Sequence, residues 1–183
     1  MKKALLAGWL FLTVWAPLWG QDGGNAVVEF LQAVHNGVKP GQTFLIPEAD
    51  LNAFIRQQIE QARVAAVESV SVKLSSGTFD ARIVVDGDKL QLEQGVGSVL
   101  KSMFTGKQVL EVEGSVRGEA GMVHYTTESA SLNGIPLPAS VVDLILSSIG
   151  KEQQPPFDPS QPFPLPQGIK TLTVEPGAVR LTS

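Results

Sequence analysis

The sequence predicts an α+β fold, a curved, antiparallel, meandering sheet of five to seven strands with three to four helices packed on one face. Three observations lead there. Apolar residues recur at helical spacing near the N-terminus, and from Val67 the apolar period drops to two. The 18 glycines and 12 prolines supply many turns, as short strands joined by tight connections need. No strand–helix–strand alternation or internal repeat is present, which excludes a doubly wound nucleotide-binding fold.

The elements follow in order. Lys2 and Lys3 form a positive start, Ala4 to Trp19 is almost wholly apolar, and Gly20 is a small residue before Gln21, so residues 1–20 are expected to be a secretory signal peptide. Pro17 interrupts the apolar run, and a spanning helix needs about 20 apolar residues, so an uncleaved anchor is the weaker reading. Residues 21–183 then form one α+β domain. Asn25 is a candidate N-cap for a first helix carrying Val27, Phe30, Leu31 and Val34, and Asn36-Gly37 stops it. Gln42–Ile46 reads as an edge strand. A second helix begins at Pro47, with Glu48 and Asp50 in its first turn and a stripe of Leu51, Phe54, Ile55, Ile59 and Ala62.

Val70, Val72 and Leu74, then Phe79, Ala81, Ile83 and Val85, alternate with polar residues about Ser75-Ser76-Gly77, and predict a β-hairpin. Val96, Leu100, Met103 and Phe104 fit a short helix closed by Gly106. A strand through Leu110, Val112 and Val116 turns at Glu119-Ala120-Gly121 into a polar strand over 122–132. Asn133-Gly134 precedes Ile135-Pro136-Leu137-Pro138, which is expected to open a third helix over 139–149. That helix is apolar on nearly every side, so it needs burial on several sides or an apolar ligand. The six prolines between 155 and 166 exclude helix and central strand, and predict an extended strap within the domain, pinned by Phe157, Phe163 and Leu165. Ile169–Val174 and Ala178–Thr182 form a last hairpin around Pro176-Gly177.

Composition narrows function. The chain has no cysteine, which excludes disulfides, a lipobox and thiolate metal sites. The formal charge is −4, and loss of Lys2 and Lys3 takes it to −6, against nucleic acid or anionic lipid as partner. His35 and His124 sit on separate elements, so no metal site is expected. Asp80, Asp86 and Asp88 lack the spacing of a calcium loop and read as turn acids. The nearest approach to a nucleophile elbow, Gly95-Val96-Gly97-Ser98-Val99, has its serine one place late. Glu111 and Glu113 share one strand face and read as solvated. No catalytic residue, metal or cofactor is implied.

The run Phe44-Leu45-Ile46-Pro47-Glu48-Ala49-Asp50-Leu51-Asn52-Ala53-Phe54, the segment Asn133–Pro138 and the stretch from Phe157 to Ile169 resemble small exported bacterial proteins of the LmeA/YpmS kind. The chain lacks the lipobox cysteine that some relatives carry. Such proteins are related to tubular lipid-binding domains, in which a curved sheet wraps a helix around a lipid groove. The resemblance implies a half-barrel in the periplasm or outside the cell, binding a phospholipid-like or other apolar ligand without chemistry, in contact with a membrane surface or an envelope protein. The wide apolar stripes place Phe54, Ile55, Leu100, Phe104, Leu144 and Ile145 on that groove. A structural or protein-interaction domain without ligand is the alternative, and an unrecognised enzyme the third. Protein recovered from the envelope is expected to begin near Gln21, which N-terminal sequencing checks. A chain starting at Met1 in the membrane pellet would show an anchor instead.

Overall fold

The computed structural model describes residues 24–62, 67–89, 105–138, 141–142 and 161–183. The expected signal segment, the expected helix at 96–104, Phe157 and all of the expected third helix except Val141 and Val142 lie outside these residues. Helix α1 (Asn25–Asn36) is followed by β1 (Thr43–Pro47) and directly by α2 (Glu48–Ala62). Strands β2 (Val67–Leu74) and β3 (Thr78–Asp86) form the first hairpin, and β4 (Lys107–Glu119) and β5 (Met122–Leu132) the second. Two short strands, β6 (Ile135–Pro136) and β7 (Phe163–Pro164), precede the closing hairpin of β8 (Thr171–Glu175) and β9 (Ala178–Thr182).

The fold is α+β, and its antiparallel sheet curls into a half-barrel. Two α-helices lie among the described residues, against the three to four predicted. Nine strands lie among the described residues rather than five to seven, the additional ones being β6 and β7. Each contains a proline, and each pairs with β5 alone, so the missing N–H interrupts no ladder on a second side. The expectation of a helix opening is therefore corrected at Ile135 and Pro136, which form a strand, while the Pro138 carbonyl accepts from the Val141 and Val142 amides. Asn133 (φ 52°) and Gly134 (φ 78°) form a left-handed two-residue turn that folds Ile135 back onto Leu132. The Leu137 amide then donates to the Ala130 carbonyl at 2.8 Å, and helix is present at Val141 and Val142.

The sheet is also more than a meander. Strands β2 to β5 pair in sequence, as do β8 and β9, but β1 pairs with β9, and β8 pairs with β4. Strand β4 forks. Residues 107–115 pair with β3, whereas Arg117 and Gly118 pair with Thr173 and Leu172 of β8. Gly118 is required at the fork, because a Cβ there would lie 2.6 Å from Leu172 Cβ and 2.7 Å from its amide nitrogen. No other residue permits that approach.

Strand β2 is an edge of the sheet, and α2 completes it. The Asn52 side chain acts as a substitute strand: its Nδ2 donates to the Val72 carbonyl and its Oδ1 accepts from the Val72 amide, both at 2.7 Å. One turn earlier, Glu48 Oε2 accepts from the Leu74 amide at 2.7 Å. On the opposite side of α2, Asp50 Oδ2 accepts from the Ala26 amide at 2.8 Å. The N-cap of α1 is Gly24 rather than Asn25, and it has no capping side chain of its own; Asp50 supplies the acceptor from another helix. The acids of α2 thus have specific partners beyond their favourable place at the helix dipole.

Buried residues fall into two clusters on the inner face of the sheet. The first joins Val27 and Phe30 of α1 with Phe54 and Ile55 of α2, and with Val72, Phe79, Val116, Val123, Leu172 and Leu181. Phe163 and Leu165 of the proline segment belong to it, each 8% exposed. The second holds Val67, Val85, Val112, Ala130, Leu132, Leu137 and Val142. Asn52→Ala is expected to lower unfolding free energy by roughly 2–4 kcal/mol in urea titrations, because it strands both polar groups of buried Val72. A loss below about 0.5 kcal/mol would mean that the edge is solvated without penalty. Replacing Phe163 and Leu165 by Ser is expected to cost about 1.5–3 kcal/mol for each side chain. Unchanged thermal unfolding would make the proline segment a free linker.

Candidate functional site

Alternation along β2–β5 sends one set of side chains into the core and the other outward. A bulge in β5 preserves this division along its length, since Glu113 faces Ser129 but Gly114 faces Thr127, leaving Glu128 over. Ala130 and Leu132 therefore point inward above the bulge, and Val123 and Tyr125 below it. Register then assembles two polar ladders on the outer face. One runs Ser71, Arg82, Glu111, Ser131 from β2 to β5, and the next runs Lys73, Asp80, Glu113, Ser129.

These ladders floor a hollow of about 960 Å³. Glu48, Asn52 and Gly177 line it beside β2, and Pro136 beside β5. The far wall is fixed by the turn at Asn133, whose Oδ1 accepts from the Val109 amide and whose amide donates to the Val109 carbonyl, both at 2.8 Å. Its Nδ2 also donates to Gln108, the buried polar side chain of this region.

Opposite charges stand directly across neighbouring strands, Lys73 against Asp80 and Arg82 against Glu111. Neither pair closes into an ion pair among the described residues. The glutamates turn toward β5 instead. Ser131 Oγ donates to Glu111 at 3.2 Å, and Ser129 Oγ donates to Glu113 at 3.0 Å. The hollow is dipolar as a result, with cations over β2 and β3 and carboxylates over β3 and β4.

The perturbed ionisable groups lie outside the hollow. The hydrogen bond from Lys89, 2.6 Å away, holds the Asp86 carboxyl below the usual carboxylate range and raises Lys89. Arg180, bonded to both Glu175 oxygens at 2.6 and 3.0 Å, does the same to Glu175. Both are solvent-facing turn contacts, of the kind worth little to stability. His35 and His124 are exposed on separate elements, and no cluster of three metal-ligating side chains occurs among the described residues.

The predicted groove residues divide. Phe54 and Ile55 are 7% and 3% exposed in the first cluster, on the inner face and not in the polar hollow. Leu100, Phe104, Leu144 and Ile145 lie outside the described residues. Glu111 and Glu113 face solvent, while Lys73, Arg82, Ser129 and Ser131 were not singled out by sequence. Their alternation was visible, but their meeting depends on register and on the β5 bulge. Comparison with protein-family models, with curated proteins and with solved structures finds no match.

Proposed function

We propose that this chain is an exported domain that binds a phospholipid-like or other apolar ligand on the inner face of its half-barrel, by burial and without chemistry. One observation carries the reading: the apolar inner face keeps a partly exposed margin on β3 and β4, outside the cover that α1 and α2 provide. The second cluster floors β2–β5 with Val67, Val85, Val112, Ala130 and Leu132, and among the described residues Ile59 of α2 and Leu137, Val141 and Val142 beyond β6 pack with it. Ile83 and Leu110 at its margin are half-buried. An apolar chain lying there would gain about 25 cal/mol for each Å² of apolar surface removed from water, and would need few polar groups to orient it.

The resemblance of Phe44–Phe54 and Asn133–Pro138 to LmeA/YpmS-like proteins points the same way, as does the export signal read at residues 1–20. Within this reading Phe54 and Ile55 back the groove from α2, and Leu100, Phe104, Leu144 and Ile145 complete it. The setting is the periplasm or the cell exterior, at a membrane surface or beside an envelope protein.

Native mass spectrometry of protein purified from the envelope is expected to show a co-purified lipid, and a fluorescent fatty acid should bind the delipidated chain. Ile83→Gln and Leu110→Gln are each expected to weaken that binding tenfold or more, about 1.4 kcal/mol, with thermal unfolding recorded in parallel. Binding unaffected by either change would remove the second cluster from the site. If the wild type takes up no lipid, the domain is a structural or interaction module.

A further inference from the structure

The dipolar hollow on the outer face is unrelated to an apolar ligand, because the sheet itself separates the two surfaces. We propose that it docks an extended peptide segment of a partner protein, one that carries an acidic and a basic side chain two residues apart. Charge complementarity selects this occupant. Lys73 and Arg82 have no ion-pair partner among the described residues, although Asp80 and Glu111 stand directly across from them. Glu111 and Glu113 are drawn to Ser131 and Ser129, so they stay separated from the cations and open to a ligand.

Spacing supports the same occupant. Strands lie roughly 4.8 Å apart, so the cationic centre between β2 and β3 is separated from the carboxylates of β4 by about 7 Å. In an extended peptide, side chains i and i+2 share a face and lie about 6.6–6.8 Å apart. A peptide crossing the strands therefore sets its acid over Lys73 and Arg82 while its base meets Glu111 and Glu113. Docking has to occur through side chains on this face. Strand addition at β2 is blocked where Asn52 and Glu48 already occupy Val72 and Leu74. A second copy of the chain fits poorly, since two concave faces brought together enclose a void instead of filling one. A hollow of about 960 Å³ is also of the size that a short peptide fills.

A phage-displayed heptapeptide library panned against the purified full chain tests this. Peptides with an acid and a base at i and i+2 are expected to be enriched at least tenfold over the input. Against the double variant Lys73→Glu with Arg82→Glu, the acid should disappear from the selected peptides while bases remain. Against Glu111→Gln with Glu113→Gln, the base should disappear and the acid remain. All four positions are exposed, and circular dichroism confirms folding of each variant. No enrichment, or the same pattern against both variants, overturns the proposal. So does binding to phosphatidylcholine vesicles, or a dimer in sedimentation velocity, that is lost in the first variant, because the face would then serve a lipid headgroup or a second copy.

Discussion

The edge of β2 is the constraint on which the rest of the molecule rests. An edge strand presents unpaired N–H and C=O groups that must be solvated, paired or covered. Here Val72 and Leu74 are buried, so solvation is not open to them, and the side chains of Asn52 and Glu48 take the place of a tenth strand. Because α2 follows β1 without a loop, satisfying one edge also sets the other. Strand β1 is held by β9 at the opposite end of the sheet, and the Glu48 amide donates to the Gly177 carbonyl in the β8–β9 turn at 2.8 Å. The unit of β1 and α2 is therefore a strap drawn across the inner face from edge to edge. A sheet with its two edges tied in this way has to curl.

The same strap accounts for the division of the core. It carries Phe54 and Ile55 onto one half of the inner face, where α1 joins it through Asp50 and through the edge-to-face contact of Phe30 with Phe44, ring centroids 5.2 Å apart. On the half of the face toward β4 and β5, Leu137 and Val142 beyond β6 join the second cluster. The cluster there is already buried, so the half-buried margin of Ile83 and Leu110 is the apolar surface still open to a ligand, and this gives the lipid-binding reading its physical basis. The outer face is shaped by a different device. The bulge at Glu128 and the turn at Asn133-Gly134 bring β5 and β6 round as a wall, so that a solvated sheet face becomes a hollow.

Most local structure was legible because local rules and global fold agree. The first two helices, both hairpins of β2–β5 and the closing hairpin follow from apolar period and turn residues, within about three residues at their ends. The misreadings have a common cause. Ile135-Pro136 resembles a helix start, since proline suits a first turn, and nothing nearby in sequence reveals that Ser131 and Leu132 wait to pair with it. Phe163-Pro164 looked only extended, yet it lies beside Met122 and Val123, some forty residues earlier. The role of Asn25 as a cap went instead to Asp50, twenty-four residues away from the amide that it accepts.

By itself, then, the sequence determined the class of the fold, the identity of its principal elements, which side chains turn inward along the alternating strands β2, β3 and β4, and the absence of cysteine chemistry. These depend on periods of 3.6 and 2 and on the dihedral preferences of glycine, proline and asparagine, all of which act within a few residues. Only the tertiary structure decided the β1–β9 and β4–β8 pairings, the capture of the β2 edge by Asn52, and the meeting of Lys73 and Arg82 with Glu111 and Glu113 across three strands. Those depend on register between segments far apart in the chain. A shift of one residue would turn every side chain of a strand to the other face, so long-range pairing alone specifies what the two faces of the sheet can bind.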